Sequence, residues 1–143
     1  MPPILTAFHQ KFKEVRVTLL INNTEQIEQA LYNKEIDLGI IEGRSKNKTV
    51  KYQAFLKDEI VLVSGINNPL ALKNAIKPEE LKKIPLLLRE PGSGTLEVIA
   101  HALQQQGIAM TQLKVEMELG NSESIKSYLP TPPVWPSFLS MPY

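Results

Sequence analysis

Apolar positions along this chain switch between two periods. Ile4, Leu5, Phe8 and Phe12 recur at helical spacing, which predicts an amphipathic helix over residues 3–13, and Pro2 and Pro3 suit its first turn. VRVTLLI, residues 15–21, is continuous, apolar and β-branched, the pattern of a buried strand. Asn22-Asn23-Thr24 breaks it, and Asn23 or Thr24 can cap the next helix, where Ile27, Ala30 and Leu31 share one face. IDLGII, residues 36–41, predicts a second buried strand. A polar loop follows over residues 42–49. VKYQAFLKD and EIVLVSGI, residues 50–58 and 59–66, predict two more strands.

Pro78 then opens a short helix, and Pro85-Leu86-Leu87-Leu88 predicts a further buried strand. Leu96, Ile99, Ala100 and Leu103 form a helical stripe, closed by Gly107 at the C-cap. Leu113, Val115, Met117 and Leu119 alternate with charged residues, as in a half-exposed edge strand. Gly120-Asn121-Ser122 leads into a last short helix ending near Leu129. The remaining LPTPPVWPSFLSMPY carries five of the 11 prolines and predicts an irregular tail.

Helices and strands joined by short links argue for an α/β fold with parallel strands. Two blocks emerge: residues 1–57 and residues 58–129, with the irregular tail at 130–143. A chain of 143 residues accommodates one domain or two small lobes.

Composition narrows the function classes. A net charge of +1 argues against a dedicated nucleic-acid surface, which gains affinity from a basic excess. With no cysteine, neither a disulfide framework nor a thiolate metal site is possible. His9 and His101 have no ligand spacing, so no metal is expected. Gly92-Ser93-Gly94 lacks the spacing of a nucleophile elbow, the third glycine of a dinucleotide loop and the lysine of a P-loop. A Ser93–His101 hydrolase pair is the weakest of the candidate chemistries. No apolar run approaches a membrane span, and no signal peptide is evident.

A milder theme repeats three times. An apolar strand, a small polar loop and a helix succeed one another at residues 21–24, 88–95 and 119–122. In parallel α/β sheets such loops gather at the carboxyl edge of the strands. Helix N-termini there present free N–H groups and partial positive charge, which suit a small anion. The candidate residues are Asn23, Thr24, Ser93, Gly94, Thr95, Asn121 and Ser122. Gly92 and Gly94 let backbone approach a ligand closely. The alternative is that Thr24, Thr95 and Ser122 are ordinary N-caps. Glu42-Gly43 reaches the same edge and reads as an ordinary turn.

Four stretches then carry a resemblance. TEQIEQALYNKEIDLGIIEG joins a polar-Thr loop, a helix and a D-L-G-I strand. KDEIVLVSGINNPLA joins a crossing strand to a turn, with Asn68 where a His is usual. PLLLREPGSGTLEVI is a strand, glycine loop and helix, and VEMELGNSESIKSYL is another strand and helix. From Pro2 to Leu129 the chain resembles the effector-binding domain of LysR-type transcriptional regulators.

The resemblance implies two Rossmann-like lobes, as in type 2 periplasmic-binding proteins, with the first lobe incomplete. It implies an effector in the cleft, for which the loops favour a small anion, held by Asn23 and Thr24 from one lobe, Ser93, Gly94 and Thr95 from the other, and Asn121 and Ser122 nearby. The function implied is ligand sensing that controls DNA binding by a longer regulator. No catalysis, cofactor or membrane contact is expected, and the location is cytoplasmic. DNA is reached only through a helix-turn-helix domain absent from this chain, and a homo-oligomer is expected. The alternative is a fragment of a solute-binding protein serving a transporter. Against the family pattern, the first strand of the first lobe is missing and the tail departs after Leu129, so a chain cut at both ends is expected.

Overall fold

The structure, a computed structural model, describes residues 2–43, 47–129 and 137–140. Helices α1 (Pro2–Lys11) and α2 (Thr24–Tyr32) come first. They are followed by β1 (Val61–Ser64), α3 (Pro78–Leu81), β2 (Pro85–Arg89) and α4 (Gly94–Gln105). The chain continues through β3 (Lys114–Leu119), α5 (Ser122–Tyr128) and β4 (Ser137–Ser140).

The sheet has the order β1-β4-β2-β3. β2 runs parallel to both β3 and β4, and β1 is antiparallel to β4. β2 is therefore interior, and its side chains alternate between two covered faces. Leu86 and Leu88 join Ile99, Leu103, Ile108 and Leu113 in one core cluster. Leu87 joins Ile125 on the other side. This explains the continuous PLLL run: a strand covered on both faces has no polar position to offer. Leu86 and Leu87 are 0% exposed, and full burial of such a side chain contributes about 1.5–3 kcal/mol.

α4 buries Ile99 and Leu103 of the predicted stripe. It ends in a paired closure, with Ile108 N–H donating to the Leu103 carbonyl and Gly107 N–H to that of Gln104. β3 lies at the sheet edge, as its alternating pattern predicts, with Val115 38% exposed.

The first block departs from expectation. Residues 15–21, 36–41 and 50–58 form no strand, and the predicted strand 59–66 shortens to β1. Strand-forming residues make a strand only when a neighbour satisfies their N–H and C=O groups. Among the described residues, no ladder is formed with these segments. Their apolar side chains stay uncovered, with Ile21 82% and Leu38 80% exposed.

The tail departs in the other direction. Expected to be irregular, it contains β4, which sits between β1 and β2. Its residues Ser137–Ser140 form a window free of proline, so the backbone N–H groups can join the ladders. Residues 130–136 and 141–143 of the tail, and 44–46 of the predicted polar loop, lie outside the described residues.

Candidate functional site

Two of the three predicted loops meet. The loop before α2 and the loop before α4 touch through backbone: Glu25 N–H donates to the Gly92 carbonyl at 3.1 Å. Gly92 has φ +87°, a conformation that glycine adopts without strain. Gly94 stands where no side chain fits, because a Cβ there would lie 2.1 Å from the Glu42 carbonyl oxygen and 2.6 Å from Thr24 Oγ1.

The hydroxyls and amides divide the work differently from expectation. Asn23, and not Thr24, caps α2: its Oδ1 accepts from Gln26 N–H at 3.0 Å, and Gln26 returns the bond to Asn23 N–H. Thr24 donates its hydroxyl to the Glu42 carbonyl at 3.1 Å. Thr95, 2% exposed, donates to the Glu42 carboxylate at 2.6 Å. Glu42, expected to be part of an ordinary turn, thus bridges the starts of both helices. Ser93 is the N-cap residue of α4 but makes no capping bond. Its Oγ is buried and has no hydrogen-bond partner among the described residues, although Ser93 is only 4% exposed.

The third loop connects less directly. Asn121, and not Ser122, caps α5, accepting from Ser124 N–H at 2.7 Å. Ser122 Oγ accepts from Arg89 at 3.4 Å, and the same guanidinium reaches the Gly120 carbonyl. Arg89 also forks onto the Glu90 carboxylate at 2.9 and 3.1 Å. Burial pushes the Glu90 carboxyl up, but hydrogen bonds from Arg89, its own backbone and Asn23 outweigh it and hold it below the ordinary glutamate range. Arg89 therefore ties the third loop to the Glu90 carboxylate in the loop before α4. The sequence signal for them was an adjacent pair of opposite charges directly after a buried strand. Such pairs are common on exposed surfaces, so the signal is weak.

A cavity of about 630 Å³ opens beside this junction. Thr24 and Glu28 of α2, Leu88 of β2 and Gly92, Ser93 and Leu96 line it, with Val115 and Glu118 from β3. Of the predicted site residues only Thr24 and Ser93 are among those described as lining it; Gly94 and Thr95 follow Ser93 in the same helix start, and Asn23, Asn121 and Ser122 stand off the wall. Glu25, Glu28, Glu97 and Glu118 are among the residues that line it, and no Lys, Arg or His is among its described lining residues. Glu25 and Glu97 sit in the first turns of α2 and α4, where the helix dipole favours acids. The cavity is thus acidic on its flanks, with a polar corner at Ser93.

Other chemistries find little here. Among the described residues Ser93 Oγ has no hydrogen-bonded base, and His101 contacts Gln105 along its own helix. Among the described residues, no group of His, Cys, Asp and Glu could hold a metal ion, and no helix is long and apolar enough to cross a membrane.

Comparison with known proteins gives a consistent picture. A family model described as the LysR substrate binding domain matches residues 1–129. The HTH-type transcriptional regulator YeiE of Escherichia coli K12 is 30% identical over 126 residues, which are 88% of this chain and 42% of that protein. The Synechocystis PCC6803 CcmR regulatory domain, solved in complex with 2-PG, matches with a TM-score of 0.81 at 28% identity, covering 98% of this chain and 65% of that one. The effector binding domain of QuiR, solved in complex with shikimate, matches with a TM-score of 0.83 over 99% of this chain and 66% of that one. At 18% identity that last likeness shows the fold alone. The chain spans less than half the length of the YeiE relative it matches.

Proposed function

The chain belongs to the LysR substrate binding domain family, with its type 2 periplasmic-binding-protein-like α/β fold, and on that premise we propose that its loop cluster senses a small anionic effector. The lobes on this reading are residues 1–57 and 58–129. The anionic group lies at the start of α4, against Ser93, Gly94 and Thr95, with Asn23 and Thr24 closing from the other lobe. Ser122 acts at one remove, by accepting from Arg89, and Asn121 by capping the helix that carries Ser122.

The observation that carries this reading is Ser93 Oγ, a buried hydroxyl without a partner among the described residues, on the wall of a cavity at a helix N-terminus. Leaving such a group unsatisfied costs about 1–3 kcal/mol, which a ligand acceptor would recover. The backbone N–H groups of the first helical turn add donors and positive potential for the same charge. The effector's other groups face Glu25, Glu28, Glu97 and Glu118, so they carry hydrogen-bond donors.

Binding would favour one arrangement of the lobes. In a longer regulator it would thereby alter a helix-turn-helix domain's hold on DNA. We further propose that copies of the chain associate through the uncovered apolar segments of the first block.

A thermal-shift screen with sulfate, phosphate and small carboxylates at matched ionic strength tests the effector site. A binder at a hundredfold excess over its Kd should stabilise the fold by about 2.7 kcal/mol, raising Tm. Ser93→Ala should reduce the shift. No shift with any of these anions, or an equal shift in Ser93→Ala, would overturn the assignment.

A further inference from the structure

Glu42 places one oxygen of its carboxylate 2.6 Å from the Thr95 hydroxyl, in the first turn of the 12-residue helix α4. Its carbonyl accepts the Thr24 hydroxyl and packs on the Cα of Gly94 so closely that a Cβ there has no room. A carboxylate at a helix N-terminus, held by a hydroxyl, is the arrangement an anionic ligand would make. Here the protein makes it with itself.

Ser93 supplies the independent sign of a ligand. It precedes the same helix turn, its Oγ is buried without a partner among the described residues, and it lines the cavity. The start of α4 therefore holds one hydroxyl engaged by an internal carboxylate and one engaged by nothing described. Thr95 has a single hydroxyl proton to donate, so it cannot bond Glu42 and a second anion through that proton at once. Two carboxylates brought to one helix turn also repel each other at short range.

We propose that Glu42 is a built-in competitor for the effector's anionic group. It occupies the Thr95 hydroxyl while the site is free and yields it when the effector enters. The loop at Glu42-Gly43 is then the segment that reads occupancy, because the same residue also holds Thr24 at the start of α2. The inference rests on the effector site proposed above.

The test titrates inorganic sulfate, and then phosphate and acetate, into the wild-type chain and the Glu42→Gln and Thr95→Ala variants, with sodium chloride matching ionic strength and Tm as the readout. Glu42→Gln keeps the shape and removes the charge. It should bind sulfate about tenfold more tightly, the affinity equivalent of one charge-assisted hydrogen bond. Thr95→Ala should weaken binding, and should do so again in the Glu42→Gln background. If Glu42→Gln leaves sulfate affinity unchanged or lower while Thr95→Ala still weakens it, the competitor role is overturned and the site stands. If no variant binds sulfate, phosphate or acetate, both fall together. A Glu42→Gln chain that merely melts lower, with unaltered affinity, assigns Glu42 a structural role and overturns the proposal.

Discussion

At Gly94 the contact between the two blocks depends on the absence of one methyl group. A Cβ would meet the backbone oxygen of Glu42, which cannot rotate away as a side chain could. Gly94→Ala should therefore destabilise the fold by about 1–3 kcal/mol through overpacking, read as a lower urea midpoint with unchanged slope. A neutral result would show that the Glu42 loop does not rest on α4 in solution. Glu90 makes a second residue-scale case. Its folded pKa lies below the ordinary glutamate value, so its contribution to stability is present at neutral pH. That contribution is lost as pH falls through the lowered pKa. Glu90→Gln should flatten the acid limb of the Tm–pH curve below the ordinary glutamate range. An acid limb identical to the wild type would contradict the Arg89–Glu90 pairing.

At the scale of elements, legibility followed the source of each element's stability. α2 and α4 were readable because a helix satisfies its own backbone, so the stripe Ile99 and Leu103 already implies the structure that buries it. β2 was readable for a different reason: PLLL is buried on both faces, and the run of leucines states that directly. Residues 15–21 and 36–41 have equally strong strand patterns and form no strand. Strand propensity describes a fit to neighbours, and no neighbour among the described residues pairs with them. β4 shows the converse. Ser137–Ser140 carries little pattern, yet it fills the slot between β1 and β2. The capping residues were legible only as types. Asn23 and Asn121 are the caps because their short side chains reach the N3 amide, which released Thr24 and Ser122 for longer-range bonds.

For the whole molecule, the uncovered apolar surface of the first block is the feature with the largest consequence. Ile21, Leu38, Phe55 and Leu56 are each more than 60% exposed, and the segments around Ile21 and Leu38 form no ladder with the described residues. Light scattering should find dimers or larger species at micromolar concentration. A monomer there would count against association. The sequence by itself determined the α/β class, the order of most helices, the leucine core of β2 and the loops that hold the candidate site. Those features arise from local periodicity and from backbone rules that act within a few residues. Only the tertiary structure decided that Glu42 spans the two helix starts, that Arg89 and Glu90 connect the loops, that β4 enters the sheet and that the Ser93 hydroxyl has no partner among the described residues. Each of these depends on which distant groups arrive within hydrogen-bonding reach. Side-chain pairing across tens of residues leaves no periodic mark along the chain.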